Sequence, residues 1–108
     1  MSMAHGFQRA VFDESSAAQF VVVATPAANK KIRVRGLFLS AVGVQLATLE
    51  SNSTSLGAVH LSAGNIAQLG VTDGGVGEAW LETAKGEDLR ITLGQAVQTN
   101  GVIFYDFI

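Results

Sequence analysis

The sequence predicts an all-β protein: one antiparallel β-sandwich, jelly-roll-like, with about eight strands. Three observations carry this expectation. Short runs alternate apolar and polar residues, and they recur about every 8–12 residues. Glycine, asparagine and serine punctuate the runs, with 12 glycines against one proline. No convincing stretch joins helical periodicity to helical length.

The elements follow in order. Residues 6–12 read as a first short strand, with Phe7, Arg9 and Val11 on one face and Gln8, Ala10 and Phe12 on the other. Asp13, Glu14, Ser15 and Ser16 read as a loop, because such side chains bond their own backbone. Residues 19–25 are a strand whose three valines predict cover on both faces. Pro26 ends it. A long strand over 30–42 alternates in its first half and is apolar on both parities in its second. Gly36, at the change, marks a bulge or bend. Strands over 44–50, 56–62 and 66–71 follow, then a glycine-rich loop over 72–77.

Residues 77–93 read as a β-hairpin that turns at Ala84, Lys85, Gly86 and Glu87. Helix is the competing reading for 78–85, but it places Glu78 and Glu82 at a repulsive i, i+4 spacing. Leu89, Ile91 and Leu93 alternate with Asp88, Arg90 and Thr92, which sets the register. Residues 95–101 connect to a last strand over 102–108, apolar on both faces. Left exposed, such a strand is an aggregation hazard, so a central or covered position is expected. The organisation is one domain, with an N-terminal arm and first short strand over 1–15 and the sandwich over 16–108.

Composition narrows the function classes. Hydrophobic residues make up 48% of the chain and charged residues 15%, against roughly 25% charged in an ordinary soluble domain. That shortage predicts that part of the surface is covered by other subunits. The formal net charge of −2 argues against nucleic acid and anionic membranes as partners. Cysteine is absent, which excludes disulfides and thiolate chemistry within this sequence. No apolar run approaches the roughly 20 residues that span a bilayer. The first six residues do not read as a signal peptide.

Candidate chemistry is sparse. Glu78, Glu82, Glu87 and Asp88 lie close in sequence around Trp80. A glycosidase would need two carboxylates facing each other across a sugar cleft, about 5 Å apart in a retaining enzyme. Short turns leave little room for such a cleft, so these acids read as turn residues and a polar strand face. His5 and His60 are the only histidines, and with Asp13 or Asp73 they match no zinc-ligand spacing. No catalytic residue, metal site or cofactor is expected. Lys31, Arg33 and Arg35 project from one strand face as a ladder, which serves either a partner contact or a solvated surface.

Certain residues carry a resemblance. They are Lys31 to Leu37 (Lys-Ile-Arg-Val-Arg-Gly-Leu), the Ser40-Ala41-Val42-Gly43-Val44 turn, the run from Trp80 to Ile91, and Gly101-Val102-Ile103-Phe104-Tyr105. Over about positions 20–108 the chain resembles small β-sandwich virion proteins of tailed bacteriophages, among them capsid decoration (cement) proteins and related fibre modules. The resemblance implies a jelly-roll-like fold, homodimers or homotrimers, and attachment of the protein to the major capsid protein on the outside of the head. It transfers no catalytic residue. The expected function is shell stabilisation in the virion, after assembly in the bacterial host cytoplasm. The alternative is a fibre module that binds host glycan through loops near Trp80. The contact residues expected are His5, Phe7, Lys31, Arg33, Arg35, Trp80, Phe104 and Phe107.

Overall fold

The computed structural model describes residues 8–25, 27–64, 66–69 and 81–108. Nine strands run through them: β1 (Gln8–Glu14), β2 (Gln19–Val23), β3 (Ile32–Ala41), β4 (Gln45–Ser51), β5 (Thr54–Leu61), β6 (Ile66–Leu69), β7 (Leu81–Glu82), β8 (Leu89–Leu93) and β9 (Thr99–Phe107). They form two antiparallel sheets. Sheet A has the order β1-β9-β3-β6, with β7 also on β3; sheet B has the order β2-β8-β4-β5. Strand β6 pairs residues 37–40 of β3, and β7 pairs residues 33–34. The two therefore fill successive stretches of one strand position. Counted that way, the first strand pairs the last, the second the next to last, and so inwards to β4 and β5, which is the nested order of a jelly roll.

The alternation in the sequence sets the core. Leu89, Ile91 and Leu93 of β8, Ala47 and Leu49 of β4, and Ile103 of β9 are all buried between the sheets. The apolar C-terminal strand is central, between β1 and β3. At one side the rings of Phe12 and Phe20, from edge strands β1 and β2, meet at 5.1 Å and close the sandwich. Gly101 lies where the sheet is tightest. A Cβ there would come within 2.5 Å of Leu39 Cδ2 and 2.7 Å of the Phe38 carbonyl oxygen.

Strand β3 changes parity midway. Ile32 and Val34 are buried before the change, and Leu37, Leu39 and Ala41 after it. Val34 faces Tyr105 while Gly36 faces Phe104, so Arg35 is an extra residue in a bulge, where Gly36 predicted one. The bulge keeps a long strand apolar toward the core despite the slip in its pattern.

Several sequence expectations are corrected. The stretch read as a hairpin over 77–93 is not one: β7 belongs to sheet A and β8 to sheet B. The turn at Ala84 to Glu87 exists, with Glu87 N–H donating to the Ala84 carbonyl at 3.2 Å, but it carries the chain from one sheet to the other. Bonds to both sheets hold it there. Thr83 Oγ1 accepts from Ile32 N–H at 2.9 Å. Ser51 Oγ accepts from Ala84 N–H at 3.0 Å and donates to Glu87 Oε1 at 2.5 Å. Gly86 has φ +76° and donates to the Lys30 carbonyl at 2.9 Å. Asp13 and Glu14, read as loop, continue β1 because they pair Asn100 and Thr99. Strand β2 is an edge strand with Val21 49% exposed, so it is not covered on both faces. Strand β9 begins at Thr99, earlier than expected, because the preceding turn is clamped. Buried Gln45 donates to the Gln95 carbonyl at 2.8 Å and to Thr99 Oγ1 at 2.9 Å. Its Oε1 accepts from the N–H groups of Gln95 and Leu46.

Candidate functional site

The outer face of sheet A is the candidate surface, and strand register lays it out in rows. Val11, Val102, Phe38 and Gln68 are successive neighbours across β1, β9, β3 and β6. Arg9, Phe104 and Gly36 form the next row, and Asp13, Asn100, Ser40 and Ile66 the row on the other side. Val11 is 68% exposed, Ile66 58% and Phe38 40%. The middle of the face is thus apolar and reaches solvent. One end is closed by polar bonds between Ser40 Oγ and Asn100 Oδ1, and between Gln98 and Asp13.

The other end carries the basic ladder. Its three cations share one face, as the alternation predicted, but their charges are taken up inside the chain. Arg33 donates from Nε to Asp106 Oδ1 at 2.9 Å and from Nη2 to Oδ2 at 2.8 Å, a two-bonded fork. Those hydrogen bonds, more than the charge attraction to Asp106 and Glu82, raise the Arg33 guanidinium above its ordinary value. Arg35 is buried, with Nε 3.8 Å from Asp106 Oδ2. Lys31 Nζ stands 3.7 Å from Glu82 Oε1. The register explains the pairing, because Arg33 lies opposite Asp106 on one side and Glu82 on the other. In the sequence, the signal for this cluster was Asp106, one acid inside the otherwise apolar run 102–108.

Phe104 lies on this outer face, half-buried, beside Arg9. Phe107 points the other way. It packs against the core and meets Tyr105 edge-on at 5.5 Å. His5, Phe7 and Trp80 lie outside the described residues, as do Glu78 and Asp73. The apolar row of Val11, Val102 and Phe38 was not singled out from the sequence, because each residue sits in a different strand and only register joins them.

The acids once weighed as catalytic have structural partners. Glu87 bonds Ser51, and Glu82 pairs Lys31. Asp88 accepts from Thr25 N–H at 2.9 Å and pairs Arg90 at 3.3 Å. His60 stands exposed on edge strand β5. Among the described residues, no group of three or more histidines, cysteines or acids could hold a metal ion.

No protein-family model matches the chain, and no curated protein does. Among solved structures it is similar to a chain described under Bacillus endospore appendages that form a family of disulfide-linked pili. The superposition has a TM-score of 0.57 at 13% sequence identity and covers 94% of this chain and 84% of that one. At that identity the likeness is one of fold: an all-β sandwich.

Proposed function

We propose that the chain is a structural subunit that acts by covering and joining protein surface, in the form of a decoration protein on the outside of a phage head. It lays the outer face of sheet A against the major capsid protein and stabilises the shell. It has no catalytic role and takes no cofactor. The observation that carries this reading is the apolar row Val11, Val102 and Phe38, with Val11 and Phe38 exposed and Val102 half-buried between them, on a chain with only 15% charged residues. Such a face gains free energy when covered, at roughly 25 cal/mol per Å² of apolar area. A standard interface removes about 800 Å² from each partner. The virion, assembled in the bacterial host cytoplasm, is the proposed location.

Addition of the purified protein to undecorated heads tests the reading. Saturable, stoichiometric co-sedimentation and a raised head-disruption temperature are the expected results. Free protein left entirely in the supernatant would sink it.

A second reading has one observation in its favour. The structural neighbour is described as a pilus, which supports a fibre or appendage subunit. This sequence has no cysteine, so any fibre it built would not be disulfide-linked through these residues. Filaments of the purified protein in negative stain, with no binding to heads, would favour that reading. The glycan-binding form of it rests on Trp80 and would be favoured by binding on a glycan array.

A further inference from the structure

Strand β1 is the outer strand of sheet A. It bonds β9 on one side, and among the described residues no strand pairs its other side. Unpaired N–H and C=O groups along a seven-residue edge make a template for another strand. Edges are commonly guarded by proline, lysine or an inward charge. The β1 sequence Gln-Arg-Ala-Val-Phe-Asp-Glu holds neither proline nor lysine. Of its inward-parity residues, Ala10 and Phe12 pack on the core, and the single charge at that parity, Glu14, stands at the last position of the strand. Its outward residues are Arg9, Val11 and Asp13, all exposed. Read backwards, that triplet is its own electrostatic complement, with a cation and a carboxylate placed symmetrically about a valine.

We propose that β1 pairs antiparallel with β1 of a second copy, about a two-fold axis at Val11. This deepens the structural-subunit reading by naming the surface through which the chain meets itself. The register sets Arg9 opposite Asp13 of the partner subunit, and Asp13 opposite Arg9 of the partner subunit. Opposite charges directly across antiparallel strands attract, and like charges repel. Gln98 bonds Asp13 through Oδ1, and the carboxylate has a second oxygen to offer. The axis covers Val11, at 68% the most exposed apolar residue on this face. It also joins the apolar rows of the two copies into one stripe. The interface is isologous, so it closes at two copies and leaves the shared outer face open to a larger partner.

Sedimentation velocity at micromolar concentration tests the pairing. The wild-type chain is expected as a dimer. Arg9→Asp sets carboxylates against carboxylates, and Asp13→Arg sets guanidinium against guanidinium. Each single variant should raise the dissociation constant about tenfold or more. The double variant R9D/D13R reverses both pairs and should return the dimer. Val11→Glu, which opposes two carboxylates on the axis, should give a monomer by a second route. All three positions of change, Arg9, Val11 and Asp13, are solvent-facing, and unchanged thermal unfolding of the isolated variants verifies the fold. A monomeric wild type, a dimer indifferent to these changes, or a double variant no better than the singles would overturn the proposal. Head binding is read in parallel. A monomer that still binds heads overturns the dimer and spares the decoration role, and an intact dimer that ignores heads does the reverse.

Discussion

On the outer face of sheet B, polar side chains bond one another across the strands; on that of sheet A, the middle row is valine, valine and phenylalanine. The two faces stand on equivalent strands of one sandwich. In sheet B, Gln19, Thr92, Thr48 and Ala58 form one row, and Val21, Arg90, Glu50 and Ser55 the next. Glu50 Oε1 accepts from Gln19 Nε2 at 2.9 Å and from Thr92 Oγ1 at 2.5 Å. Arg90 donates to Gln19 at 3.3 Å and pairs Asp88 at 3.3 Å. Water can cover such a face at little cost. In sheet A the polar groups gather at the two ends and leave the apolar middle bare. The difference lies in where each face sets its charges. Sheet B carries Glu50 and Arg90 across the middle of its outer face. Sheet A gathers Arg33, Asp106, Lys31 and Glu82 at one end and leaves Val11 and Phe38 exposed, which is the surface proposed for contact.

The largest expected effect tests the frame on which both faces rest. Gly101→Ala drives a methyl into Leu39 and into the Phe38 carbonyl. Overpacking of this kind costs about 3 kcal/mol, which lowers Tm by roughly 12 °C or more. Differential scanning calorimetry reads it. An unchanged Tm would mean that β1 and β3 can part around β9, and neither face would then be a fixed surface.

Next comes the charged end of sheet A. Asp106→Ala removes both bonds to Arg33 and the carboxylate 3.8 Å from Arg35. These groups are largely shielded from water, so the loss should be about 2 kcal/mol. Urea unfolding measures it, through a lower midpoint at constant slope. Glu50→Ala on sheet B breaks two bonds at a more open site and should cost about 1 kcal/mol. If Glu50→Ala proved the costlier of the two, the contrast between a structural charge cluster and a solvated network would be reversed.

The same contrast explains how much of the molecule was legible in the sequence. Strand β8 and the first half of β3 could be read because their inward positions alternate, and burial on one face enforces alternation. That part of the core was legible for this reason, whereas β9, apolar on both parities, showed a strand but not which side faced inward. The arch from β7 to β8 was not, since a turn such as Ala84-Lys85-Gly86-Glu87 looks alike whether the next strand pairs the last or crosses to the facing sheet. Its direction is set by Thr83 on β3 and Ser51 beside it, contacts between residues far apart in the chain. The ladder was legible as a shared face of Lys31, Arg33 and Arg35. Its neutralisation was not, because Asp106 and Glu82 come opposite Arg33 only through register. The apolar row of the candidate surface was hidden in the same way, one residue to a strand.

The smallest change in stability goes with the most informative change in behaviour. Phe38→Ser removes the ring at the middle of the sheet A face, between Val102 and Gln68. The ring is already 40% exposed, so its loss should cost less than about 1 kcal/mol in the isolated chain. Partner binding should suffer more, because a central aromatic that becomes buried on association commonly contributes about 2 kcal/mol or more to it. The matched control is Thr48→Ser at the corresponding place on sheet B, where neither stability nor binding should move beyond about 0.5 kcal/mol. Calorimetric binding to heads, set beside the unfolding of each free variant, separates the two effects. If Phe38→Ser binds as the wild type does while Thr48→Ser weakens binding, sheet B holds the contact, and the inference from bare apolar surface to interface fails for this molecule.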